Sequence, residues 1–232
     1  HYNAQAKNQV RWMPPTFAPP VTASGQYRIH AFDTPRLEPG KMYGLQVRKD
    51  AERTFWGEFR TLFPANNWVT NGLLLGWKWP LNNGGNLQLL DTTPGSANGK
   101  NDAPLTLGST FSDLESGIHI TTVAVNPSTT PPSVDVQVNL GSFAGNNVPT
   151  LSLSPSTPVV PTSTNVTFTA TASDLDGDTL AYSWRWHDGV ISPNAATATR
   201  NFTTSGIYTV SCVVSDMKGG IAVRNAVITV GN

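Results

Sequence analysis

The sequence predicts an all-β chain, with two β-sandwich domains in tandem behind a short N-terminal helical remnant. Three observations predict it. Glycine (20) and proline (18) are abundant among the 232 residues, which suits short strands joined by tight turns. Apolar and polar residues alternate in run after run, the two-residue period of half-buried strands. A small, polar stretch from Gly141 to Asn147 breaks that pattern and reads as a linker. The expected layout is residues 1–21 as the remnant of a preceding domain and 22–141 as the first sandwich. Residues 142–148 are the linker and 149–232 the second sandwich.

The one helical stretch covers residues 1–13. Ala4, Ala6, Lys7 and Gln9 favour it, and Pro14-Pro15 ends it. Tyr2, Ala6 and Val10 share its thin apolar face, which suits the tail of a helix packed on something N-terminal. Strands follow from Val21. Tyr27, Ile29 and Ala31 alternate with Gln26, Arg28 and His30. Met42 to Val47 follows a turn at Pro39-Gly40. Phe55, Gly57 and Phe59 alternate with Trp56, Glu58 and Arg60, and the shared parity of Glu58 and Arg60 predicts a structural ion pair. Gly72 to Trp77 is an apolar run of the sandwich-core kind. Asn82-Asn83-Gly84-Gly85 marks a turn before Leu87, Leu89 and Leu90 resume a strand. After a polar loop from Asp91 to Pro104, Gly117 to Val125 and Val134 to Leu140 complete about eight strands.

Alternation is cleanest in the second sandwich. Val166, Phe168 and Ala170 share one face, as do Tyr182, Trp184 and Trp186, and Tyr208, Val210, Cys212 and Val214. Val223, Ala226, Ile228 and Val230 change parity once, which permits a bulge.

Composition excludes several function classes. Charged residues make up 13% with zero formal net charge, so neither nucleic acid nor an anionic membrane is an expected partner. The longest apolar run, Leu73 to Leu75, cannot span a bilayer. One cysteine, Cys212, permits no intrachain disulfide and no Cys-based zinc site, and its inward position reads as an inert buried thiol. The histidines are His1, His30, His119 and His187. No two stand four apart, so the HExxH zinc signature cannot be built. His30 and His119 read as surface or strand histidines. Gly-x-Ser-x-Gly is absent, and no Lys-Ser/Thr follows Gly84-Gly85. The chain starts without Met, which reads as a mature product or a fragment.

Three groups are candidate sites. Asp174, Asp176 and Asp178 alternate around Gly177, with Asp216 near the same edge, and such carboxylates can ligate Ca²⁺. The simpler account is a solvated turn whose aspartates cap local amides, since the twelve-residue EF-hand pattern is absent. Asp91, Asp102 and Asp113 admit the same two readings, with loop capping favoured. Trp77 and Trp79 share parity around Lys78. They suit either an aromatic platform for a protein or polysaccharide ligand or a packing role.

Residues 149–232 resemble PKD domains. The matching pieces are SDLDGDTLAYSWRW (173–186), HDG (187–189), SGIYTVSCVVSD (205–216) and KGG (218–220), with His187 replacing the family's usual glycine. The resemblance implies an immunoglobulin-like sandwich that binds or spaces. Residues 1–140 resemble the region behind the catalytic core of secreted gametolysin-like zinc metalloproteases. That likeness rests on HYNAQAKNQVRW, SGQYRIHAFD (24–33), FWGEFR (55–60), NGLLLGW (71–77), LLDTTPGS (89–96), NDAPLTLGSTFSD (101–113) and GIHITTVAV (117–125), in order, with Arg11 where glycine is usual. It implies that residues 1–21 trail a catalytic domain and that any zinc belongs upstream. The implied function is a non-catalytic accessory region of a secreted, bacterial metalloprotease. An adhesion module, or a self-associating subunit of an extracellular assembly, is the alternative.

Overall fold

A computed structural model describes residues 2–63, 66–79, 87–155, 158–188, 190 and 192–231. His1, the Asn82–Gly85 turn and Gly189 lie outside the described residues. The chain forms two compact units, one from His1–Thr106 and Phe111–Ser142, the other from Leu107–Thr110 and Phe143–Asn232.

The first unit holds β1 (Pro20–Val21), β2 (Gly25–His30), β3 (Leu45–Arg48), β4 (Thr54–Glu58) and β5 (Gly72–Lys78). It continues with β6 (Leu87–Leu89), β7 (Leu105–Thr106), β8 (Thr110–Asp113), β9 (Ile118–Asn126) and β10 (Ser133–Leu140). One sheet runs β1-β3-β4-β5-β6, with β7 also on β5, and the other runs β2-β10-β9-β8. Both sheets contribute to one core. Leu45, Val47, Phe55, Leu73 and Leu75 come from the first, and Ile29, Ile120, Val134, Val136 and Val138 from the second. The three valines of β10 are fully buried, as their parity predicts, but Ser133 and Asp135 on the opposite parity are buried too. Fully burying each such side chain stabilises by roughly 1.5–3 kcal/mol relative to exposure.

Strand β4 departs from simple alternation, since all five of its residues are buried. Phe55 faces the main core, while Trp56 joins Ala4, Met13, Ala18, Phe32 and Tyr43 in a second, smaller core. That core exists because residues 2–18 fold back over the outer face of the sheet. Helix α1 (Ala4–Gln9) starts at Asn3, whose Oδ1 accepts from the Ala6 amide at 2.7 Å. The expected Tyr2/Ala6/Val10 face is corrected here. Tyr2 and Val10 are exposed, and Ala4 and Gln5 are the buried helical residues. The helix stops after six residues, and Arg11 at φ 61° redirects the chain so that Met13 is buried instead.

The second unit holds β11 (Thr150–Ser154), β12 (Val159–Pro161), β13 (Thr164–Ser173), β14 (Ala181–Arg185), β15 (Thr197–Phe202), β16 (Gly206–Ser215) and β17 (Ile221–Gly231). Its sheets run β11-β13-β15 and β12-β17-β16-β14, the two-layer arrangement of an immunoglobulin-like sandwich. Phe168, Trp184, Trp186, Phe202, Val210, Cys212, Val214 and Ile228 form the core between them. Trp184 and Trp186 stack with centroids 6.1 Å apart. The bulge that the parity change permits is not present in β17. The ladder with β16 is continuous from Gly206↔Val230 to Ser215↔Ile221. Val223 simply sits on the exposed face opposite Ala226, Ile228 and Val230, a position that a β-branched residue tolerates.

Candidate functional site

The Asp174–Asp178 turn lies between β13 and β14. Asp174 Oδ1 accepts from the amides of Asp176 (2.9 Å) and Asp178 (3.3 Å), and Gly177 takes φ 75°, which a side chain would resist. Asp176 accepts from the Asn147 amide at 2.6 Å and from its side chain at 2.9 Å. These bonds hold the Asp176 carboxyl below its ordinary range. Asp178 is ion-paired with Lys218. One carboxylate oxygen from each aspartate lies within 4.8 Å of the others. Asp174 Oδ2 and Asp178 Oδ2 are buried with no hydrogen-bond partner.

Asp216 has different work, at 1% exposure. Its Oδ1 accepts from the amides of Lys218 (2.7 Å) and Gly220 (2.9 Å), and its Oδ2 accepts from Asn146 Nδ2 at 2.7 Å. A Cβ on Gly220 would stand 2.0 Å from Asp216 Oδ2, so the KGG segment needs its second glycine for space. Asp216 fastens the β16–β17 turn and the start of the unit, and it is not among the three clustered aspartates.

Trp77 and Trp79 open onto a cleft of about 560 Å³ with Asp50, Glu52, Arg53 and Gln88. Trp77 is the last aromatic of β5, paired with Phe55 on β4 and Gln88 on β6. It therefore carries the main core's face out to the sheet margin. Its Nε1 donates to Gln88 Oε1 at 2.8 Å. Trp79, 51% exposed, donates from Nε1 to Glu52 Oε2 at 3.1 Å. The Arg53 guanidinium lies 6.0 Å from the Trp77 ring centre and is held by Asp50, with Nε to Oδ2 at 2.6 Å.

The other candidates are absorbed by structure. Asp91 Oδ1 accepts from the Thr93 amide at 2.9 Å. Asp102 accepts from Thr93, Ser96 and Asn98, and Asp113 pairs with Lys49 at 2.5 Å. The Glu58–Arg60 pair forms at 2.7 Å, and Glu58 Oε2 also accepts from the Ala4 amide at 2.5 Å. Burial pushes the Glu58 carboxyl up, against the pull of Arg60, Ala4 and Lys7. His30 and His119 are buried rather than superficial, with Nδ1 within 3.3 Å of Met42 O and 3.0 Å of Ser112 Oγ respectively. Burial pushes the Cys212 thiol to about 12, which makes it inert. Sequence reasoning missed Asn146, Asn147 and Lys218 in the second unit and Glu52, Arg53 and Gln88 in the first. Only the KGG and strand-pairing signals bore on any of them.

Residues 146–230 match the family model of the PKD domain. No curated protein matches the sequence. Among solved structures, one from work on carbohydrate-binding modules of the β-sandwich superfamily is 33% identical at a TM-score of 0.32, covering 38% of this chain and 36% of its own. A putative α-galactosidase from Bacteroides fragilis is 20% identical at a TM-score of 0.30, covering 37% and 18%. The PKD domain of an M14-like peptidase from a Thermoplasmatales archaeon is 17% identical at a TM-score of 0.32, covering 38% of this chain and 100% of its own. The chain thus spans about a third or less of the length of the first two. Among the described residues no helix is long and apolar enough to cross a membrane. The PKD-domain match is thus confined to residues 146–230, within the C-terminal unit.

Proposed function

We propose that the chain is an extracellular, non-catalytic accessory region of a secreted zinc metallopeptidase, in which the first unit buttresses the protease and the PKD unit binds or spaces substrate. The observation that carries the reading is the ordered series of peptidase-like segments from HYNAQAKNQVRW to GIHITTVAV, joined to a PKD domain at residues 146–230. The commitment of Glu58, His119, Asp102 and Asp216 to internal hydrogen bonds and ion pairs supports it, since none is left to act on a substrate. The sequence upstream of residue 1 in the gene tests it. An HExxH helix is the expected finding, and a frame without one overturns the peptidase part.

The Asp174, Asp176 and Asp178 turn is proposed to hold Ca²⁺. The fit rests on the two orphaned oxygens, Asp174 Oδ2 and Asp178 Oδ2, which suit the oxygen chemistry of a hard cation. Bound Ca²⁺ would supply charge neutralisation that lets three carboxylates sit together. Lys218 supplies part of that charge itself, so a cation competes with it for Asp178. Calorimetric titration of the full chain with CaCl₂ should give heat that Asp174→Asn abolishes and Lys218→Met strengthens. No heat, together with a melting temperature indifferent to EDTA, rejects calcium and leaves the turn as a capping device.

A further inference from the structure

The cleft at the margin of the first unit's sheet has features that packing does not explain. Trp79 is half exposed, so it is not a core residue. Both indole N–H groups are spent on side chains, Trp77 on Gln88 and Trp79 on Glu52. A bond at the ring edge restrains each indole; Trp79 keeps ring surface for contact, whereas Trp77 packs on the main core and has Arg53 over its ring. One short turn supplies most of the polar rim. Asp50 accepts from the Glu52 amide at 2.9 Å and the Arg53 amide at 2.8 Å, and it also holds the Arg53 side chain. Little side-chain freedom remains to be lost when a ligand arrives.

We propose that this cleft binds a neutral saccharide, with Trp79 stacking against a sugar C–H face, the partly buried Trp77 lining the contact, and Arg53, Asp50, Glu52 and Gln88 bonding to hydroxyls. Flat aromatic surface with a few planar donors and acceptors matches a sugar ring, which is apolar on its faces and polar at its edge. The charges choose among saccharides. Two carboxylates, Asp50 and Glu52, line the cleft with Arg53, which is paired with Asp50, and the Arg48 guanidinium donates to the Asp50 and Ala51 carbonyls of the same turn, so the charges nearly balance. A nearly balanced rim gives a sulfated or uronic polymer no net attraction, and an uncharged chain needs none. Among the described residues the cleft, at about 560 Å³, is not closed over, which fits part of a chain. The inference goes beyond the proposed function, which gives binding to the PKD unit, and it is independent of the peptidase part.

The test is calorimetry of the full chain with cellohexaose, xylohexaose, laminarihexaose and chitohexaose, and with a heparin fragment as the polyanion. At least one neutral oligosaccharide should bind and heparin should not. Trp79→Ala should weaken binding by about tenfold or more, equivalent to 1.4 kcal/mol. Trp79→Phe should retain part of it. Trp12→Ala, which removes an exposed tryptophan outside the cleft, should change nothing. Glu52→Ala, which frees the Trp79 ring while keeping it, should weaken binding less than Trp79→Ala. No heat with any of the four neutral sugars, unchanged affinity in Trp79→Ala at an unchanged melting temperature, or preferred binding of heparin overturns the proposal. A missing zinc motif upstream would remove the peptidase and leave these outcomes as they are.

Discussion

Each unit contains one deeply buried carboxylate that grips the start of its own unit, and the two do so with different chemistry. Glu58, 5% exposed, accepts from the Ala4 amide and is paired with the Arg60 guanidinium. Asp216, 1% exposed, accepts from Asn146 and from two backbone amides, all neutral donors. The first tether is an ion pair taken out of water, so each charge depends on the other. The second is a carboxylate solvated by amides, which needs no counter-charge. Glu58 adds to the burial of Ala4, Met13 and Ala18 in the smaller core, and Asp216 adds to the Asn147–Asp176 bonds, so the two tethers should fail differently.

The largest expected effect is at Glu58. Glu58→Ala strands Arg60 without its partner and should cost the first unit about 3–5 kcal/mol in denaturant unfolding. Asp216→Ala should cost the second unit less, about 1–3 kcal/mol, because neutral amides are left behind rather than a charge. Equal losses would erase the distinction. The next effect is a pH slope. The folded Glu58 carboxyl is raised above its ordinary 4.5, so its contribution is fully present below that value and is lost as pH rises through the folded one. Glu58→Gln should flatten that fall. Asp176 is lowered from 3.8 by the Asn147 bonds, so its contribution is present above that value and is lost as pH falls further. Asp176→Asn should flatten the opposite limb. Unfolding curves from pH 3 to 8 on the two variants read both signs. The smallest effect is at Cys212. Its thiol, raised to about 12 and buried, should react with a disulfide reagent at pH 8 only as fast as the second unit opens.

Much of the second sandwich is legible in the sequence, because its strands bury one face and period-two alternation reports burial. Phe168, Trp184, Cys212 and Ile228 all fall where their parity puts them. Strand β4 shows the limit. Its neighbours in sequence, Phe55 and Trp56, are both buried, since a segment some forty residues upstream covers the second face. Parity cannot report a layer supplied from elsewhere in the chain. The candidate sites divide in the same way. The Asp174–Asp178 turn is local and visible, whereas its partners Asn147 and Lys218 arrive through tertiary contacts. Trp77 and Trp79 stand out as residues. Glu52, Arg53 and Gln88 join them only through the register of β4, β5 and β6, which the sequence does not print.

On the proposed reading, this region binds and supports but does not cleave. Incubating the full chain with casein and quenched fluorescent peptides, with Zn²⁺ and Ca²⁺ added, tests it most directly. The account predicts no turnover above buffer under any metal condition. Hydrolysis that zinc restores and a chelator removes would contradict it.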